Sequence, residues 1–337
     1  MFADLLTKLL KRDDLTTEEA AAAMDAVMRG EAHPAQVAGM LVGLAMKGER
    51  PAELVGLAKS MRAHGVRIDA GPTAVDTCGT GGDRAGTFNI STAAALVVAA
   101  AGVQVVKHGN RSVSSRCGSA DVLEALGVAV EAPPATVQLA LQRAGIGFCF
   151  APSFHPAMRY AGEARRALGV PSAFNLLGPL TNPARVPFQI VGVARPELTE
   201  LMARTLQQLG ASRAWVVHGA DGLDELSTTG YSKVSECHGK VVRTFYVHPS
   251  DVGLPKAAAD ALRGGDAAHN AAIIRDVLAG ETGPARDVVL LNAGAALLVC
   301  GNVASLRDGI ARAAGAIDSG AARRTLEALV SATGPAA

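Results

Sequence analysis

Through its first seventy residues the chain places apolar side chains at helical spacing. Leu5, Leu6, Leu9 and Leu10 recur on one side of a helix. Thr16, three residues before Glu19, fits a capping box. Pro34 and Pro51 fit first-turn positions, where a missing N–H costs no intrahelical bond. The spacing predicts helices near 3–11, 17–29, 35–47 and 52–64. The pattern changes at Gly71-Pro72. Beyond it, short β-rich runs VQVVKHG (103–109), IGFCFA (146–151), FQIVGVA (188–194) and AWVVHG (214–219) read as strands. Helical stretches lie between them near 91–101, 119–126, 135–144, 157–168 and 197–209. This alternation predicts an α/β fold with a central, mainly parallel sheet flanked by helices. SECHGKVVRTF (235–245) reads as a hairpin turning at His238-Gly239, and Ala-rich helix follows from about 256 onward.

Composition narrows the function classes. With 337 residues, 49% of them apolar, the chain has core enough for one large domain plus a small one. Aromatics are only 4% against 37 glycines, which favours close helix–sheet packing over an aromatic-lined binding face. A net charge of +1 argues against nucleic acid or an anionic membrane as a partner. Cys78, Cys117, Cys149, Cys237 and Cys300 are scattered and form no CxxC pair, as expected of reduced cytoplasmic thiols. The segment MFADLLTKLLKRDD lacks a signal-peptide pattern. The apolar runs at 92–103 and 288–299 are too short to span a bilayer. A soluble cytoplasmic protein is therefore expected.

Four polar segments carry candidate chemistry, and three of them follow a strand, where open α/β sheets bind ligands. In GTGGD (79–83) glycines let backbone N–H groups approach an anion. Asn89, Ser91 and Thr92 then precede a strong helix, whose start suits phosphate. This is neither the dinucleotide fingerprint nor the Walker loop: Arg84 replaces a third glycine and no Gly-Lys-Ser/Thr follows. In KHGNRSVSSRCGSADVLEALG (107–127), Lys107, His108, Asn110 and Arg111 crowd a loop at a strand end, with hydroxyls at Ser114, Ser115 and Ser119. DGLDELST (221–228) sets Asp224 beside Glu225, the oxygen donors a hard cation such as Mg²⁺ takes. In HPAMRYAGEARRALGVPSAFNLLGPLTNP (155–183), Arg165 or Arg166 could fork onto a carboxylate, and NLLGPLTNP reads as a rigid loop where Gly178 admits a flat ligand. Each segment alone also fits a structural role: a Gly turn, an acidic surface loop, solvated cations. No His/Cys cluster suggests zinc, and no GxSxG suggests a serine hydrolase.

Together, DTCGTGGDRAGTFNIST, KHGNRSVSSRCGSADVLEALG, the HPAM…NLLGPLTNP stretch and DGLDE resemble, in order and spacing, the anthranilate phosphoribosyltransferases, over nearly the whole chain. The resemblance implies a small all-helical domain at 1–72, completed by helices near 160–184, and a larger α/β domain at 73–337. It implies a homodimer joined through the helical domain, Mg²⁺, and two substrates, 5-phosphoribosyl 1-diphosphate and anthranilate. By motif position, Gly79, Gly81, Gly82, Asp83, Thr87, Asn89, Ser91, Thr92, Lys107 and Ser119 would line the diphosphate-sugar site. Ser91, Asp224 and Glu225 would hold Mg²⁺, with Lys107, Asp224 and Glu225 the catalytic groups. Gly79, His108, Asn110, Arg165 and Gly178 would meet anthranilate; Arg165 is preferred to Arg166 because it lies ten residues after His155, as the family arginine does. The reaction expected belongs to tryptophan biosynthesis: the anthranilate amine displaces diphosphate through an oxocarbenium-like state. Two same-fold alternatives stay open, a pyrimidine nucleoside phosphorylase and a non-enzymatic nucleic-acid-binding paralogue. A nicotinamide-dependent dehydrogenase is disfavoured by the broken GxGxxG.

Overall fold

The computed structural model describes residues 1–112 and 116–334. Four helices come first: α1 (Phe2–Leu10), α2 (Thr17–Met28), α3 (Pro34–Lys47) and α4 (Pro51–His64). The α/β part then runs β1 (Val75–Gly79), α5 (Ile90–Ala100), β2 (Val105–Gly109), α6 (Ser119–Ala125), α7 (Pro134–Ala144), β3 (Ile146–Phe150), α8 (Ala151–Phe154), α9 (Arg159–Leu168) and α10 (Ala173–Leu180). It continues with β4 (Phe188–Gly192), α11 (Leu198–Gln208), β5 (Arg213–Gly219), β6 (Ser232–His238) and β7 (Val241–Val247). Four helices close the described chain: α12 (Ala267–Ala279), α13 (Pro284–Val299), α14 (Leu306–Asp318) and α15 (Ala321–Thr333).

The helix starts follow local chemistry. Thr16 Oγ1 accepts from Glu19 N–H (3.2 Å) while Glu19 Oε2 accepts from Thr16 N–H (2.9 Å), the expected capping box. Pro34 and Pro51 open α3 and α4. Glu53, wholly buried, accepts from Leu15 N–H, Arg50 N–H and Lys47 Nζ, and so fastens the α1–α2 and α3–α4 connections to α4.

The seven strands lie in the order β3-β2-β1-β4-β5-β6-β7, with β1 to β5 parallel and β6 and β7 antiparallel. The chain adds β2 and β3 on one side of β1, then β4 and β5 on the other. The order thus reverses between β1 and β4, where an open α/β sheet forms its crevice at the carboxyl ends of the strands. Side chains alternate across the sheet. Trp215 and Val217 pack into the core with α5 and α13, whereas Ala214 and Val216 join a second core with α11. That second core continues unbroken into α2, α3 and α4. Helix α9 packs on α2 and α3, and α10 on α3 and α4, so the 160–184 region returns to the N-terminal helices.

Three expectations need correction. NLLGPLTNP is not a loop: Asn175–Leu180 belong to α10. Phe174, Leu177 and Leu180 bury one helical face, and Asn175 Oδ1 accepts from Ser172 N–H (3.0 Å) at the start. Pro179 falls in the last turn, where its missing N–H costs one bond and does not interrupt a longer helix. Lys107 and His108, read both as the end of the 103–109 strand and as part of a loop, are buried positions of β2, so the strand reading holds and the loop reading does not. Regular α-helix resumes at Ala267, not near 256. Residues 257–265 instead strap the glycine-rich segment: Ala257 N–H donates to Thr228 O (2.9 Å), Gly264 N–H to Gly86 O (2.9 Å), and Arg263 bridges Thr87.

Candidate active site

The glycine-rich segment leaves β1 at the point where the strand order reverses. Gly81 and Gly82 take φ of 64° and 86°, left-handed values that glycine adopts without cost. Gly79 is required for another reason. A Cβ there would stand 2.6 Å from Asp224 Oδ2. The acidic loop after β5 lies across the end of β4 even more closely, since a Cβ on Gly192 would overlap the Asp224 carbonyl oxygen. Direct bonds tie the two loops. Gly81 N–H donates to Asp224 Oδ2 (3.0 Å), and Asp224 N–H donates to Asp83 Oδ2 (3.4 Å).

Helix α5 starts against the same acids. Ser91 N–H donates to Glu225 Oε1 (3.1 Å), and Thr77 Oγ1 donates to Ser91 O (3.0 Å). Lys107, 2% exposed, reaches up from β2 to donate to Thr77 O and to Ser91 Oγ (3.3 Å). Burial, together with the charges of Asp83 and Glu225, holds the Asp224 carboxyl well above its ordinary range. Burial likewise pushes Glu225 up to about 7, against the pull of Lys107 and Ser91. Three carboxyls and a hydroxyl crowded with one lysine form a hard-oxygen donor set whose mutual repulsion a divalent cation would relieve. Among the described residues, no group of three or more His, Cys, Asp or Glu is shaped to hold a metal by itself. What the chain offers is two adjacent carboxylates and a serine, the partial shell that phosphate oxygens and water complete around Mg²⁺.

A second group flanks this one. His108 Nδ1 lies 3.0 Å from Gly178 O on α10. The carbonyl can only accept, so Nδ1 carries the proton. Burial, with His155 beside it, pushes His108 down to about 3, so the ring is neutral and Nε2 is a buried acceptor without a partner. Asn110 O accepts from Ser119 Oγ (3.3 Å), and Asn89 Nδ2 donates to Cys117 O (3.2 Å). Arg165 stands apart from these bonds. Its guanidinium lies 5.1 Å from the centre of the Phe174 ring, on the helix that carries Gly178. Thr92, 1% exposed, is buried in the first turn of α5. Thr87 pairs with the 257–265 strap, while Gly82 points into open space. Ser114 and Ser115 lie outside the described residues.

Residues 71–323 match the glycosyl transferase family a/b domain, and residues 3–65 match that family's helical bundle domain. An anthranilate phosphoribosyltransferase of Moorella thermoacetica is 55% identical over 326 residues, 96% of each chain. One of Desulfatibacillum aliphaticivorans is 52% identical over 99% of each. The chain belongs to the anthranilate phosphoribosyltransferases. Solved structures of the family agree with the fold. The Thermus thermophilus enzyme superposes with a TM-score of 0.93 at 46% identity, covering 98% of this chain and 99% of that one. The Saccharomyces cerevisiae enzyme, solved in complex with PRPP and Mg, superposes at 0.89 with 27% identity over 98% and 97%.

Within the quoted motifs and beyond them lie residues to which the sequence reading assigned no role. Asp76 is fully buried on β1 and accepts from His108 N–H (3.3 Å) and Asn182 Nδ2 (2.9 Å). Asn182 also donates to Val106 O (2.8 Å), which locks β1, β2 and the α10–β4 connection together. Gly192 ends an apolar strand and shows no motif of its own. Its position at the carboxyl end of β4 was the only available sign of a close approach.

Proposed function

We propose that the chain transfers the phosphoribosyl group of 5-phosphoribosyl 1-diphosphate to the amine of anthranilate, giving N-(5-phosphoribosyl)anthranilate and diphosphate, in tryptophan biosynthesis. One observation carries the reading. At the strand-order reversal, a glycine-loop N–H, the first turn of α5, the β2 lysine and the Asp224-Glu225 pair are joined by direct hydrogen bonds. Such a cluster suits a divalent cation and, through it, a diphosphate, and the relatives' acceptor names the other substrate.

The roles follow from chemistry. Gly79, Gly81, Gly82, Asp83, Thr87, Asn89, Ser91, Thr92, Lys107 and Ser119 form the diphosphate-sugar side. Ser91, Asp224 and Glu225 hold Mg²⁺, which when bound supplies positive charge at the leaving diphosphate. Lys107 and the helix-start amides of α5 add donors where negative charge develops, the kind of stabilisation that lowers a charge-separating barrier. No strong base is needed, because an aromatic amine is neutral near pH 7. The bare Nε2 of His108 suits an amine N–H, and its proton on Nδ1 is already engaged by Gly178. Asn110 and Arg165 hold the carboxylate side of anthranilate, with Gly79 and Gly178 leaving room for a flat ring. Holding both substrates in line supplies much of the remaining acceleration.

We place the protein in the cytoplasm as a homodimer. No described helix is long and apolar enough to cross a membrane. Val42, Met46 (70% exposed) and Val170 (60%) surround a shallow apolar groove between α3 and the end of α9, a face that a second copy would cover. The activity is tested by the loss of anthranilate fluorescence on adding the diphosphate sugar. Loss with Mg²⁺ and none with a chelator is expected. No loss, with phosphorolysis of thymidine instead, would move the protein to the nucleoside phosphorylase reading.

A further inference from the structure

Asn270, on the first turn of α12, is 1% exposed and lies outside every motif noted above. Its Oδ1 accepts from Gly265 N–H (2.7 Å) in the strap. Its Nδ2 donates to Asn89 Oδ1 (3.0 Å), and Asn89 Nδ2 donates in turn to Cys117 O (3.2 Å). Asn270 also hydrogen-bonds the Cys117 thiol. An amide can normally turn over and exchange its oxygen for its nitrogen. Here both ends of the chain are fixed by backbone. Gly265 N–H can only donate, and Cys117 O can only accept. The direction is therefore set throughout, and Asn89 must present its nitrogen, not its oxygen, to the side of the β2–α6 connection that carries Ser119. One of that nitrogen's two N–H groups goes to Cys117 O.

From this relay we infer that Asn270 is a positioning residue for the diphosphate-sugar side of the site: it fixes the amide of Asn89 so that a donor faces the anion. The inference rests on the proposed placement of Asn89 against the diphosphate sugar. Asn270 acts through Asn89, and it also ties the strap, the glycine-rich segment and the β2–α6 connection at one point. Without it, Asn89 keeps only its bond to Cys117 O, and an amide held at one end swings away from the position in which its second N–H faces the anion. The hydrogen bonds of Asn270 run to Gly265, Asn89 and Cys117, not to the residues assigned to anthranilate.

The test is a double-mutant cycle on the purified full chain with Mg²⁺. Asn270→Ala should raise the KM for 5-phosphoribosyl 1-diphosphate about tenfold or more and leave the KM for anthranilate within about twofold. Asn270→Ser, which leaves a smaller void, should show the same split. In an Asn89→Ala background, Asn270→Ala should add less than about twofold. If Asn89→Ala alone leaves the KM for the diphosphate sugar unchanged, the placement of Asn89 fails. If Asn89→Ala raises that constant but the two changes multiply, or if both substrates' constants rise equally, the role of Asn270 fails. Loss of folding in both Asn270 variants, seen by circular dichroism, would equally overturn it, because the residue would then hold the fold and not the amide.

Discussion

Asp76 shows how one buried charge reports on the environment beneath the site. It has no exposed surface, and burial pushes its carboxyl up to about 6, against the opposing pulls of Lys107, Asn182 and the His108 N–H. A folded-state value above the unfolded one means that ionising Asp76 costs stability. The cost is absent below about pH 4, grows as pH rises through 6 and is complete above it. Two pH units correspond to on the order of 3 kcal/mol. The unfolding free energy of Asp76→Asn relative to the parent should therefore move in the variant's favour by about that amount between pH 4 and 7. A difference flat with pH would show that Asp76 ionises freely. Arg165 carries the second prediction at this scale. Arg165→Ala should raise the KM for anthranilate at least tenfold and that for the diphosphate sugar less than twofold, while equal effects on both would remove it from the carboxylate. Asp76, Asn182 and Asn270 could not be picked out beforehand. Asp76 opens DTCGTGGD and Asn182 stands in NLLGPLTNP, but a motif does not say which of its polar residues turns inward, and the partners of these residues and of Asn270 lie 32, 106 or 181 residues away.

At the level of elements, the N-terminal helices follow the chain's own pattern. Thr16→Ala should cost about 1 kcal/mol in chemical denaturation, because it removes one half of the capping box; no measurable loss would mean that tertiary contacts alone set the start of α2. Helix boundaries in this region were legible because caps and prolines are local. Three segments were not legible, for physical reasons. Residues 257–262 are rich in Ala, but tertiary hydrogen bonds from Ala257 to Thr228 and from Phe88 to Leu262 outweigh the small helical preference of each alanine. NLLGPL contains Gly and Pro, the usual marks of a loop, yet its leucines bury a helical face that the breakers do not undo. The 103–109 strand was legible, but that Lys107 and His108 end it buried and not in a polar loop was not, because their polar atoms find distant partners at Thr77, Ser91 and Gly178.

For the whole molecule, strand order does what no motif does alone. The glycine loop, the β2 lysine and the acidic loop come from distant parts of the chain, and the reversal between β1 and β4 brings them to one crevice. The sequence pattern showed the alternation of strands and helices and the four polar segments; the strand order that unites them depends on long-range pairing, which periodicity does not encode. The second surface of the molecule is the apolar groove at Met46 and Val170. Met46→Glu should convert the protein to a monomer in sedimentation without lowering kcat more than about twofold, because no residue lining the groove is among those assigned to the substrates or the metal. An unchanged sedimentation coefficient would place the dimer face elsewhere, and a monomeric parent would remove the dimer altogether. The central claim is that Asp224 and Glu225 act by holding Mg²⁺ against the diphosphate. Its most direct measurement is anthranilate turnover by the Asp224→Asn, Glu225→Gln double variant at saturating Mg²⁺. Turnover should fall by several decades, each about 1.4 kcal/mol of barrier, with the KM for anthranilate little changed; near-parental turnover at the Mg²⁺ concentration that suffices for the parent would contradict the claim.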